Sequence, residues 1–214
     1  MNTCNRAFAR WGVPQKIKID NGLPLVNPSN LDLPTLSILW WVGLGIEVIQ
    51  NRPGRPQENG AVESSQGILN RWVNPTKYTS IEQLNPALEE QGRIQREVYL
   101  IPAKKYQTRI SLFPTLTQNP RTYSPHNFDF TRVEQYLAQR AWTRAVKKNG
   151  EIKFFNQLIY VGYRLRAQQV SITYDPKEHI WLIHNQKGAL VKQSSVKLVE
   201  PQSIIDFATP NKRT

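Results

Sequence analysis

The tightest constraint on this fold is a short β-branched run, Ile17 to Ile19, that ends in Asp20-Asn-Gly22. An acid followed by Asn-Gly stops a strand at a turn, so Asp20 is predicted at a strand tip with its carboxylate held clear of the sheet. A second strand is expected over Gly45 to Gln50. Between the two, Thr35 to Leu44, with Leu36, Leu39, Trp40 and Trp41, reads as a buried crossover helix. Strand, helix and strand in this order give a partly parallel sheet. Open α/β sheets gather their chemistry beyond the C-terminal ends of the strands, where Asp20 falls.

Beyond the second strand, the Pro/Gly/Arg loop Arg52 to Gln57 leads into a further helix. There Val62, Ser65, Leu69 and Trp72 share one face, predicted to pack on the sheet, while Glu63, Gly67, Asn70 and Arg71 share the adjacent one. An acid on a strand tip and another on a neighbouring helix can hold a divalent cation between them. Each acid also has a structural reading. Asp20 can cap its turn, and Glu63 can be a first-turn acid favoured by the helix dipole. Glu58 reads as a solvated loop acid, and Asp32 as a helix N-cap or solvated loop acid.

The segments Asp20-Asn-Gly and Pro56-Gln-Glu-Asn-Gly-Ala-Val-Glu63, in register across a strand-helix-strand interval, resemble the DDE transposases of the retroviral-integrase superfamily, in particular insertion-sequence transposases. The likeness covers residues 10–73 and, less closely, 141–200. It implies that Asp20 and Glu63 are the second and third catalytic acids and the ligands of Mg²⁺ or Mn²⁺, acting in metal-dependent phosphoryl transfer during DNA integration. The interval between the two acids is longer than in the family, and an extended loop around Asn27 to Pro34 is expected to absorb the excess. The family also needs a first aspartate on an earlier strand, yet Met1 to Ile19 contains no Asp or Glu. The resemblance therefore implies a chain that starts partway through its catalytic domain and is catalytically incomplete, binding metal weakly through two of three acids.

Charge separates the chain into two halves. Residues 1–102 carry 10 Lys and Arg against 9 Asp and Glu, and residues 103–214 carry 18 against 7, so +11 of the net +12 lies in the second half. A polyanionic partner, DNA above all, is expected there. Cys4 is the sole cysteine, so no intrachain disulfide forms. No long apolar run or basic-then-apolar leader is present, so a cytoplasmic chain without membrane contact is expected. His126, His179 and His184 are scattered without Cys partners and suggest no zinc site.

The chain opens with Asn2 to Trp11, read as the end of a helix stopped by Gly12. Thr79 to Gln83 reads as the start of a polar helix running to about Leu100, a connector by resemblance, Ile101 to Tyr123 as a basic, proline-punctuated surface linker or else an ordered loop of the first domain, and Asp129 to Arg140 as a short helix. There Phe130, Val133, Tyr136 and Leu137 face inward. Beyond it the period changes to two. Runs at Trp142–Val146, Ile152–Phe155, Leu158–Val161, Val170–Tyr174, Ile180–Ile183 and Leu190–Val191, separated by turn residues, predict a small barrel or sandwich. By resemblance this is the SH3-like C-terminal barrel of such transposases.

The expected architecture is α/β plus β. A partial ribonuclease H-like integrase core with its connector occupies 1–100, linker and short helix 101–140, the SH3-like barrel 141–200 and a tail 201–214. The expected DNA contacts are Arg52 and Arg55 beside the site, Arg71 on the helix, and Lys147, Lys148, Lys153, Arg164, Arg166, Lys192 and Lys197 around the barrel. A truncated sheet exposes an edge, so a homo-oligomer or pairing with another transposase chain is expected. The competing readings are a non-catalytic DNA-binding module or regulator of transposition that works through the barrel, and an RNA-binding barrel protein.

Overall fold

The computed structural model describes residues 2–22, 25–26, 32–52 and 55–208. Residues 27–31 of the loop read as absorbing the longer interval, Gly54 of the Arg52–Gln57 loop and the last six residues lie outside the described set. The chain is a mixed helix-and-strand protein with open sheets. It divides into two compact units, 1–50 with 123–214, and 51–122. This division cuts the chain elsewhere than the sequence boundaries do, because the first fifty residues and the strand-rich C-terminal part share one apolar core.

In the first unit, helix α1 (Asn2–Trp11) ends where the Gly12 N–H donates to the Phe8 carbonyl at 2.8 Å. Gly12 has φ 78°, the left-handed conformation that closes helices at little cost with glycine. Strand β1 (Lys16–Ile19), helix α2 (Leu36–Gly43) and strand β2 (Glu47–Gln50) follow. The strands pair in parallel, Lys16 opposite Glu47 through Ile19 opposite Gln50, as the strand-helix-strand order predicts.

Helix α2 is apolar around nearly its whole circumference, and a helix of that kind belongs in a core. Ile38, Leu39, Trp40 and Trp41 are all buried. Its C-terminal carbonyl, on Gly43, accepts the Asp129 N–H at 3.0 Å and Arg132 Nη1 at 3.4 Å, which satisfies an orphaned helix end. Gly43 has no room for a side chain, since a Cβ there would lie 2.2 Å from the Phe128 ring. That ring stacks on Trp40 with centroids 5.0 Å apart and planes 14° apart.

The strand-rich part follows the period-two runs. Antiparallel β3 (Ala141–Ala145), β6 (Gln169–Asp175), β7 (Ile180–His184) and β8 (Leu190–Ser194) form one sheet in the order 3-6-7-8, and β4 (Glu151–Phe154) pairs with β5 (Gln157–Tyr160) as a separate hairpin. Trp142, Phe154, Phe155, Tyr174 and Trp181 pack edge to face inside, with Phe154 and Trp181 centroids 4.8 Å apart. The β4–β5 turn consists of Phe155 and Asn156, both at positive φ (45° and 61°), where Asn-Gly is the usual choice. The Phe155 ring is buried against Phe154 and Trp181, which offsets the strain of that backbone.

Helix α6 (Phe130–Ala138) is capped by Asp129, whose Oδ1 accepts the Thr131 N–H at 2.9 Å, and it buries Val133 and Leu137 as predicted. Its Glu134 carboxylate is buried too. It accepts the Tyr174 hydroxyl at 2.9 Å and bonds His179 Nδ1. Burial, the hydrogen bond to Glu134 and the Glu134 charge together raise the Tyr174 pKa well above the ordinary phenol value. Because the folded pKa is the higher one, the folded chain holds this proton more tightly than the unfolded chain. The associated stability is complete below about pH 10 and is lost as pH rises further. Tyr174→Phe should therefore flatten the alkaline decline of the melting temperature above about pH 10. An unchanged decline would show that another group is responsible.

The expected tail at 201–214 needs correction. Residues Pro201–Ala208 form helix α7, with Ile204 and Ala208 fully buried and the Ala208 carbonyl accepting Asn5 Nδ2 at 2.8 Å. Pro201 at the first helical position and the Ile204, Ile205, Ala208 spacing are the local signals for it.

The second unit holds a short 3-10 turn (Pro56–Asn59), helix α3 (Gly60–Trp72), helix α4 (Ile81–Arg93), a π-helical turn (Ile94–Val98) and the four-residue helix α5 (Arg109–Leu112). Ser80 caps α4 by accepting the Gln83 N–H at 3.4 Å. Residues 101–122 are more than a surface linker, since Arg109 Nη1 donates to the Gln95 carbonyl at 2.8 Å and fixes α5 to the π turn. The sheet-packing face read on α3 is also corrected. No residue of α3 is buried, and Val62 and Trp72 are 58% and 40% exposed. Trp72 packs instead on Tyr99, with centroids 5.9 Å apart.

Candidate functional site

Asp20 stands at the C-terminal end of β1, exposed, as the strand-Asn-Gly pattern predicts. Its Oδ1 accepts the Gly22 N–H at 3.2 Å, an Asx turn that folds the chain back from the strand. A Cβ on Gly22 would sit 3.4 Å from both carboxylate oxygens, an ordinary contact, so this Asx turn does not itself require glycine there. Glu63 lies in the first turn of α3 and is exposed. Asp20 belongs to the first unit and Glu63 to the second. Both provide the hard carboxylate oxygens a divalent cation takes. Among the described residues, no group of three or more His, Cys, Asp or Glu is placed to hold a metal.

The loop before α3 is clipped together by polar contacts. Asn51 Nδ2 donates to Asn59 Oδ1. Arg52 donates to Glu58 twice, from Nε at 2.7 Å and from its backbone N–H at 3.3 Å. Glu58 is thus not the solvated acid read from the sequence. Its side chain is only 17% exposed, and the ion pair holds it inside the loop. Arg52, Arg55, Gln57 and Glu58 line a shallow polar depression there. The pairing leaves Arg52 partly neutralised, with its side chain 70% exposed. Arg71 Nε donates to the Gly67 carbonyl of its own helix at 3.1 Å.

Asp32 is corrected as well. It makes a two-bond pair with Arg144 of β3, at 2.7 and 3.2 Å, and its carbonyl accepts Trp142 Nε1 at 2.8 Å. This acid ties the segment before α2 to the first strand of the four-stranded sheet, a partnership across 112 residues that no local pattern encodes.

Searches find no family model that matches the chain, and no curated protein that matches it.

Lys147 and Lys148 lie in the turn after β3, Lys153 on the outer face of β4, Arg164 and Arg166 just beyond β5, Lys192 on β8 and Lys197 after it. All seven are exposed, and none makes an ion pair among the described residues. Acids here do not cancel them as Glu58 cancels Arg52. The sequence reading missed the aromatic component of this surface, the exposed rings of Tyr160 and Tyr163. The signal was present, because Ile159 faces inward and so puts Tyr160 outward. Among the described residues, no helix is long and apolar enough to cross a membrane.

Proposed function

We propose that this chain is a DNA-binding part of an integrase-type DDE transposase, comprising part of a ribonuclease H-like core and a small SH3-like barrel, and that it is silent in strand transfer by itself. The observation that carries the reading is Asp20, an exposed carboxylate at the C-terminal tip of a parallel strand pair joined by a buried crossover helix. This is where open α/β sheets hold their catalytic groups. Support comes from Glu63 in the first turn of the next long helix and from the unpaired cations around the strand-rich part. In this reading Asp20 and Glu63 are carboxylate ligands of Mg²⁺ or Mn²⁺, which supplies Lewis-acid activation of the phosphodiester when bound. DNA is the partner, held through its phosphates by the basic surface, with the protein acting in DNA transposition. A homo-oligomer or pairing with another transposase chain completes the reading.

A second reading, a non-catalytic DNA-binding module that regulates transposition, is favoured by the placement of nearly all the excess charge after residue 102. Strand-transfer and DNA-binding assays on the 214-residue chain separate the two. Under the first reading the chain alone joins no DNA with either metal, and Asp20→Asn or Glu63→Gln lowers Mn²⁺ binding while leaving DNA affinity unchanged. Detectable joining overturns the silence. Mn²⁺ binding that is indifferent to both substitutions removes the two acids from the proposal and leaves the module.

A further inference from the structure

The β4–β5 hairpin turns one face inward and one outward. Ile152, Phe154 and Ile159 are buried. Glu151 opposite Tyr160, and Lys153 opposite Leu158, therefore make the outer face. Leu158 and Tyr160 there are 55% and 57% exposed, and Tyr163 in the following turn is 56% exposed. Gly162, at φ 121°, bends the chain so that the Tyr163 N–H donates to the Tyr160 hydroxyl at 3.1 Å. The Arg166 guanidinium carbon lies 4.6 Å from the Tyr163 ring centroid. The Tyr160 hydroxyl is thereby tied to the Tyr163 backbone, and the Tyr163 ring carries a cation.

A basic turn backs this pair closely. A Cβ on Gly150, which has φ 81°, would lie 2.8 Å from Gly162 C and Tyr163 N, and 2.9 Å from Tyr160 Cε2. The turn that carries Lys147 and Lys148 is thus in direct contact with the tyrosine turn. Glu151, the acid on this face, is occupied by Asn149 Nδ2 at 2.6 Å. Two exposed aromatic rings within a set of exposed, unpaired cations call for a partner with both π faces and negative charge. Duplex DNA offers its phosphates but hides its base faces in the stack, whereas a single strand offers both.

We propose that the outer face of this hairpin binds unpaired nucleotides, with bases stacked on Tyr163 and Tyr160 and phosphates held by Lys147, Lys148, Lys153 and Arg164. The proposal rests on the DNA-binding reading and adds the form of DNA this face selects. The test is fluorescence anisotropy of the full chain against labelled oligothymidine of about 20 nucleotides, a few binding-site lengths, and against a duplex of the same length. Tyr163→Ala is expected to weaken single-strand binding about tenfold and duplex binding less than about twofold, while Tyr163→Phe keeps wild-type affinity because the stacking ring remains. The joint variant Lys147→Ala/Lys148→Ala weakens both forms. Tyr163 is more than half exposed, so an unchanged melting temperature shows that the fold survives its substitution. Single-strand affinity that is insensitive to Tyr163→Ala, or falls equally with Tyr163→Phe, overturns the stacking proposal alone. Wild-type chain that binds neither form at low salt overturns the DNA-binding reading with it.

Discussion

Replacing Trp40 with alanine should lower the stability of the unit containing it by about 3–5 kcal/mol, the cost of emptying a large aromatic site in a close-packed core. Trp40 is completely buried and stacked on Phe128, and Gly43 one turn along the helix is kept small by that same ring. The cavity would open where α2, Phe128 and α6 meet, and none of these can collapse without moving the others. At about 2–4 °C per kcal/mol for a unit of this size, the melting temperature should fall by roughly 10 °C. Trp40→Phe is the informative companion. Among the described residues the buried Trp40 indole N–H has no acceptor, so phenylalanine removes that donor along with part of the ring. That substitution should cost less than about 1.5 kcal/mol. A Trp40→Ala protein that melts like wild type would mean that α2 is not the centre of this core.

Salt should act on DNA binding with comparable force. If the seven unpaired cations from Lys147 to Lys197 each neutralise a phosphate, log affinity should fall against log salt with a slope of about −6. Between about 50 and 200 mM salt the loss is then about four-thousandfold. Removing Lys147 and Lys148 together should make the slope shallower by about 2. Arg52→Ala should change it little, because Glu58 already neutralises much of that charge. A flat response to salt would remove the phosphate-binding surface and the proposed function with it.

Much of the fold was legible from local pattern. Ile17–Ile19 ending in Asp20-Asn-Gly, the apolar run of α2 and the alternating runs from β3 to β8 each depend on neighbours a few residues away. The structure places strand, helix and strand accordingly. The errors share a different cause. Val62, Ser65, Leu69 and Trp72 form a regular stripe, yet a stripe states only that a face can be covered, and on α3 Trp72 meets Tyr99 and Ser65 meets Gln95 while no residue is fully buried. Pro201–Ala208 contains helix signals that were read as a tail because the surface that buries Ile204 comes from elsewhere in the chain. Phe155-Asn156 turns a hairpin against its own backbone preference because the core accepts the Phe155 ring.

The candidate site divides in the same way. Asp20 on its turn and the charged second half followed from sequence alone, since an Asx turn is made within three residues and net charge is a sum. Which charges stay free was decided only by tertiary structure. Glu58 neutralises Arg52, Asp32 takes Arg144, and Glu134 takes Tyr174 and His179, whereas the cations around the hairpin keep theirs. An ion pair needs two groups within a few ångströms, and for residues as far apart as Asp32 and Arg144 only the packing of the core brings that about.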